Sequence, residues 1–421
     1  MWSSFRSARA LACAVSGVLA AAAASAAETY LQPILEVGAT HHTNRGLNFD
    51  EQNEEAVSGL EFDGALVFGV VTPASRTLFR PNLKYETFNS DTNLDNADYG
   101  LDLSHRYLSP RHDFQVIGRA QQRETLSTEF IEPGFDDFDP NDPTVTDPGR
   151  IEVDNTITRL QLRPSYDYRL TERTRIGLHV VAQSIRFADQ RLFSRVDYDY
   201  GNAGVSWEFL ATPRTTLFVD PYVTRYETID KSYISDGEGA ALGFEHKWSE
   251  TFSFGMTAAV ETDHVERIPV IETPAGPVAQ PLVEEDSTNW SAMANVYRKG
   301  EISELRFSAG RLISPSTRGS KVTVNQLHVQ WKRQLTQRFD IVTAGRYLQE
   351  ERIGAIQADD VRRTAGLEVG LRWRMTERWH ILGRAEVLHQ ELERQPEAAT
   401  DESIFIGIGY SGLGSQAEST D

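Results

Sequence analysis

The basic residues of this 421-residue chain are strongly skewed, with 36 arginines against 6 lysines. A guanidinium presents a planar fork of donors that pairs side-on with carboxylates and sulfates, whereas an ammonium is a point charge. Arg80, Lys84, Arg119, Arg123, Arg163, Arg306, Arg346, Arg372, Arg374 and Arg384 stand in stretches where polar and apolar residues alternate. Such a face can line a water-filled passage and select an anionic solute. It can equally pair with Glu86, Asp167, Glu304, Glu368 and Glu386, which fall on the same faces, as cross-strand partners. For any single arginine, pairing is the favoured reading.

Catalytic chemistry is hard to assemble from this chain. No Gly-x-Ser-x-Gly elbow occurs. Gly409-Tyr410-Ser411 begins like one, but Leu413 stands where the second glycine belongs. The histidine groupings His41-His42, His112-Asp113 and Asp263-His264 fall near turns and loop ends without a nucleophile beside them. No phosphate-binding loop or zinc motif is present. The reading is of a protein that is not an enzyme and needs no cofactor and no metal. Acidic residues concentrate in two segments, Asp50, Glu51, Glu54 and Glu55 in one and Asp136, Asp137, Asp139, Asp142 and Asp147 in the other. The second lacks the ligand spacing of a calcium loop, so both read as solvated loops.

The first residues point to export. Arg6 and Arg9 precede an apolar run from Ala10 to Ala23, and Ala24-Ser25-Ala26 fits a small-x-small cleavage site. Residues 1–26 are therefore expected to be a signal peptide and 27–421 the mature protein. Cys13, the only cysteine, lies in that leader. Disulfides and thiol chemistry are then excluded from the mature chain. The net charge of −19 becomes −21 once Arg6 and Arg9 are lost, which argues against a nucleic-acid partner. After residue 26 no run of twenty apolar residues remains, so no helix is long enough to cross a membrane. A closed barrel is the other structure that satisfies its own backbone in lipid.

A repeated turn supplies the architecture. V-T-P-A-S-R at Val71, L-S-P-R-H at Leu108, L-T-E-R-T at Leu170 and A-T-P-R-T at Ala211 are followed by W-S-E-T-F at Trp248, L-T-Q-R-F at Leu335 and M-T-E-R-W at Met375. R-K-G-E at Arg298 fills the one gap. From Thr72 to Thr376 the steps are 37, 62, 41, 37, 51, 36 and 40 residues. A step near 40 holds two strands, a short turn and a longer loop. The two long steps carry insertions, Phe130–Val153 and Ile268–Glu285. Short turns at one end and long loops at the other is the layout of an outer-membrane barrel. Eight short turns separate nine hairpins and give about 18 strands over residues 29–410, with a polar tail, 411–421.

Within the strands the period is two. Leu160, Leu162, Pro164, Tyr166 and Tyr168 interleave with Gln161, Arg163, Ser165, Asp167 and Arg169. Leu367, Val369, Leu371 and Trp373 interleave with Glu368, Gly370, Arg372 and Arg374. The apolar set is expected to face lipid, with Leu371 near mid-membrane, and the polar set to face a lumen. Tyr107, Trp248, Trp331, Trp373 and Trp379 lie near the short turns, as interfacial aromatics do. Ile404, Ile406, Ile408 and Tyr410 share one face of the last strand. The fold class is thus all-β, a transmembrane antiparallel up-and-down β-barrel.

The opening strand Leu31-Gln32-Pro33-Ile34-Leu35-Glu36-Val37-Gly38, the following Thr43-Asn44, the W-S-E-T and M-T-E-R turns and the overall length together resemble the β-barrel porins of exopolysaccharide operons (EpsL-like proteins). That resemblance implies a conduit for a secreted polysaccharide that works with a separate periplasmic polysaccharide export protein, in contact with outer-membrane lipid and lipopolysaccharide. It carries no catalytic motif. A diffusion porin for small polar or anionic solutes is the alternative, because sixteen to eighteen strands leave an aqueous lumen.

Overall fold

The computed structural model describes residues 27–412, apart from 50–53, 91–93, 125–155, 189–195, 269, 274–275, 280, 317–318, 353–360, 394 and 396. The expected signal peptide, the acids at 136–147 and Asp50 and Glu51 lie outside the described residues. Among the described residues twenty strands follow one another. They are β1 (Glu28–His42), β2 (Val57–Val71), β3 (Ser75–Phe88), β4 (Asn96–Leu108), β5 (His112–Glu124), β6 (Thr156–Arg169) and β7 (Thr174–Phe187). Next come β8 (Tyr198–Thr212), β9 (Thr215–Thr228), β10 (Tyr233–Ser249), β11 (Phe252–Arg267), β12 (Val270–Thr273) and β13 (Gly276–Ala279). The chain ends with β14 (Val283–Lys299), β15 (Ser303–Ser316), β16 (Ser320–Thr336), β17 (Phe339–Arg352), β18 (Arg362–Arg374), β19 (Trp379–Leu392) and β20 (Ala399–Ser411).

Eighteen of these form one sheet in which each strand pairs antiparallel with its neighbour in sequence, and β12–β13 form a separate small hairpin. β1 closes the ring, pairing with β2 on one side and with β20 on the other. The expected loop Ile268–Glu285 therefore holds the β12–β13 hairpin and ends earlier, because β14 begins at Val283. At the closing seam Gly38 and Gly407 leave room for the ring of Phe405, which a Cβ at either position would strike. Glycine is needed there because the aromatic covers the backbone of both strands.

The short turns explain why their sequence recurs. In the turns at Thr171, Thr212, Thr336 and Thr376 the hydroxyl accepts the backbone N–H of the arginine two residues on, at 3.2 Å in each case. A threonine or serine that satisfies the turn locally, then a residue that resumes the strand, is a turn chemistry with a defined mechanism. These turns sit at the end of the barrel where β1 begins and β20 ends, and the longer connections leave from the other.

Period-two alternation places Leu31, Leu60, Leu162, Leu178, Leu242, Val260, Leu367 and Ile406 outside, all exposed in the isolated chain. Exposed apolar residues around a closed sheet mean contact with lipid, since no water-facing surface keeps so continuous a band. Trp207, Trp248, Trp373, Trp379 and Tyr107 stand at the short-turn end of that band. Leu371 is the outward position next above Trp373, so it lies near the interface and Val369 stands nearer the middle. With cysteine at position 371 or 372 in a chain whose one native cysteine is Cys13, a membrane-impermeant thiol reagent should label 372 and spare 371. Equal labelling would contradict the register.

Candidate functional site

All ten basic residues singled out from the sequence fall on the lumen face, and the structure shows what each meets. Arg119 Nε donates to Asp102 at 3.0 Å. Lys84 lies 3.2 Å from Glu86 and 3.8 Å from Glu61. Arg384 binds Glu61 at 3.1 Å and its guanidinium lies 4.8 Å from the Phe405 ring. Arg306 binds Glu304 at 2.6 Å. Arg372 and Arg374 converge on one carboxylate, Asp340, at 3.1 and 3.0 Å. Arg163 lies beside the side-chain amide of Gln161 on the same strand. Arg123 and Arg346 also have partners. Arg80 differs. Its register partner Asp102 is engaged by Arg119 and Asn82, and Arg80 makes no ion pair among the described residues.

The acids that do most of this pairing are Asp102, Glu61 and Asp340, which the sequence did not single out. Of those it did, Glu86 and Glu304 do pair, but along their own strands, with Lys84 and Arg306, and Glu86 also with Arg45, where cross-strand pairing was expected. Alternation names the face of an acid but not its height, and height decides whether it can reach an arginine on the next strand. Asp340 is buried and carries two ion pairs, so Asp340→Ala should lower stability by about 1–3 kcal/mol, discounted because both arginines are partly exposed. A shift of the unfolding midpoint smaller than that of a typical surface substitution would mean that the Asp340 pairs do not stabilise the barrel.

Charge is unevenly distributed around the lumen. On β3–β6 the inward set includes Arg76, Arg80, Arg106, Arg119, Arg123, Arg159 and Arg163, against fewer acids, Asp98, Asp102, Asp113 and Asp167 among them. On β8–β11 it includes Glu208, Asp220, Glu245, Glu261 and Asp263. A passage with a basic arc on one part of its wall and an acidic arc further round the same ring carries a transverse field, which low-dielectric walls focus.

The end opposite the short turns is narrowed by the chain itself. Residues 43–49 turn inward from β1. Arg45, 1% exposed, pairs with Glu86 and lies 4.5 Å from the Phe88 ring. Leu47 packs with Leu388 and Ala399, holding a left-handed φ of 45° that a branched side chain adopts only when its surroundings fix it. Asp401 anchors the segment by accepting the Asn44 N–H at 2.9 Å and facing His42 Nδ1 at 2.7 Å. His42 Nε2 lies 3.3 Å from Thr40, but all three side chains are buried, so the grouping staples a loop and offers no reactive surface.

From the other side, the tip of the β15–β16 hairpin parts from β14, while β16 keeps its ladder with β17 as far as Val322, and lies against the inner face of β9–β11. Tyr226 donates its hydroxyl to the Ser316 carbonyl at 2.9 Å. Lys321, 3% exposed on its side chain, places Nζ 2.6 Å from Glu261, 2.5 Å from Asp263 and 2.9 Å from the Thr224 hydroxyl. Beneath this tip Tyr198, Tyr226, Tyr233, Ile157, Ile185, Phe187 and Val265 form an apolar cluster inside the mouth.

Outside, the apolar band gives way to a polar rim at the same end. Arg225 pairs with Asp236 at 3.0 Å, His264 with Asp286 at 2.8 Å and Arg186 with Asp199 at 2.7 Å, all on outward positions. An apolar belt with an aromatic edge below, a charged rim above and a polar interior belongs to one setting. The chain is an outer-membrane β-barrel.

No family model matches the sequence, and no curated protein does. Among solved structures the barrel is similar to OccK2 (OpdF) of Pseudomonas aeruginosa, at 11% identity over 92% of this chain and 99% of that one, with a TM-score of 0.44. OpdK of the same organism, solved with vanillate, gives 10% identity, 91% and 99% coverage and a TM-score of 0.45. OprD gives 9% identity, 92% and 96% coverage and a TM-score of 0.40.

The inward hairpin was not read from the sequence, though a signal for it exists. On β16, Leu327, Val329 and Trp331 occupy lipid-facing positions, but the same parity continues as Asn325, Thr323 and Lys321. Val324 and Val322 take the lumen parity instead. An amphipathic pattern that inverts within one strand marks where that strand leaves the lipid.

Proposed function

We propose that this barrel is an outer-membrane diffusion channel for small polar or anionic solutes. The observation that carries the reading is the narrowed mouth. Residues 43–49 and the β15–β16 tip pack inside the barrel and bury Arg45, Leu47, Lys321 and Tyr226, so protein stands in the path that a hydrated polymer chain would take. The basic arc of β3–β6, with Arg80 in no ion pair among the described residues, favours an anion over a cation of equal size. Export of an exopolysaccharide alongside a periplasmic partner is the reading implied by the likeness to EpsL-like barrels, and it requires the mouth to open much wider.

Reversal potentials across a planar bilayer test the first reading. The wild-type channel should prefer chloride over potassium. Replacing Arg80, Arg119 and Arg163 by glutamine should shift the preference toward cations while the barrel stays folded. An unchanged preference would mean that these arginines only support the wall. In the cell, deleting the gene should reduce uptake of small anions and leave surface polysaccharide unchanged. Loss of surface polysaccharide with uptake intact would support export instead.

A further inference from the structure

Among the described residues the wall of the barrel is incomplete beside the inward hairpin. β14 pairs with β11 over its whole length, from Val283 to Arg298. With β15 it pairs only from Ala292↔Arg311 to Lys299↔Glu304. Residues 283–291 of β14 therefore have no strand on the β15 side among the described residues, while residues 312–316 of β15 lie inside the lumen. An edge strand with unpaired backbone groups is a template for another strand, and native sheets normally cover it. The nearest strand able to cover this one is β15 itself.

The inward position is held by a built seat. Glu261, Asp263 and Thr224 surround the Lys321 ammonium, and Ser235 donates to Asp263 at 2.9 Å. A Cβ at Gly237 would strike Thr224, Asp263 and Glu261, so glycine leaves the room the seat needs. Two carboxylates face one ammonium, and emptying the seat would leave two buried acids side by side. A buried ion pair of this kind adds little net stability, because desolvation offsets its attraction. Its best-attested use is to select one arrangement over another.

We propose that the β15–β16 hairpin is a two-state gate. Tucked, Lys321 latches it to the seat on β9–β11 and the mouth is narrow. Released, residues 312–314 pair with β14 and complete the wall, widening the passage. The register set by Ala292↔Arg311 would bring Trp290 opposite Ile313 and Asn289 opposite Ser314. Pro315, which has no N–H to give, limits the ladder beyond that point. Both states use the same strands, so the change is a discrete exchange of partners rather than a continuous deformation. This inference rests on the lumen being a conduit. Its test also reads the hairpin's position directly, so a failed gate is distinguishable from a failed channel.

Cysteines at Asn289 and Ser314 report the released state, because they meet only when β15 joins β14. In the folded, membrane-inserted barrel, mild oxidation should cross-link N289C/S314C slowly in the wild-type background. It should do so several-fold faster when K321M or the isosteric E261Q is added. Oxidised channels should show a raised conductance that a reductant reverses. Equal cross-linking in all three backgrounds would overturn the latch. Cross-linking without a change in conductance would overturn the gate.

Discussion

Replacing Val369 by arginine should lower the stability of the inserted barrel by about 2–4 kcal/mol, the range for a basic residue on the lipid face near the bilayer midplane. Val369 lies on β18 between Thr343 of β17 and Ala385 of β19, and its outward neighbours along the strand are Leu367 and Leu371. A guanidinium there has no lumen water and no acid within reach. It can only snorkel toward an interface or thin the bilayer. Leu371→Arg should cost less, because it sits one outward step from Trp373 and the interface. The measurement is the urea midpoint of folding into vesicles. Equal costs at 369 and 371 would contradict the depth assigned to these positions, and no cost at 369 would contradict the barrel's orientation.

Tyr226→Ala should cost about 3–5 kcal/mol, as removing a large ring from a packed site does. Tyr226 is 0% exposed and sits where three parts of the mouth meet. Its ring lies 5.0 Å from Tyr198 and 5.6 Å from Tyr233, and its hydroxyl holds the Ser316 carbonyl of the inward hairpin. Tyr226→Phe keeps the rings and loses one hydrogen bond, so it should cost only about 1 kcal/mol. Gel mobility of the folded form on heating separates the two. A phenylalanine variant as unstable as the alanine one would assign the stability to the hydroxyl and not to the aromatic packing.

The fold was legible because its signals are local. A Thr hydroxyl capping the arginine two residues later writes the same short turn into the sequence again and again. Alternation then fixes which side chains meet lipid. Both signals are complete within about fifteen residues, and neither needs knowledge of distant strands. The candidate site was legible only in part. That Arg163 and Arg372 face water follows from parity, but that Asp340 takes both Arg372 and Arg374 depends on the offset between β17 and β18. The seat for Lys321 joins residues 224, 261, 263 and 321, which no local period connects. Its trace is the inverted pattern at Lys321–Val324, meaningful only once β16 is known to leave the wall.

Whether the narrowed mouth admits only small solutes is tested most directly by liposome swelling with graded solutes. Proteoliposomes should swell readily in small organic acids and monosaccharides, slowly in tri- and tetrasaccharides, and not at all in short dextrans. Swelling in dextran as fast as in a monosaccharide would contradict the narrowed mouth and return the barrel to polymer export.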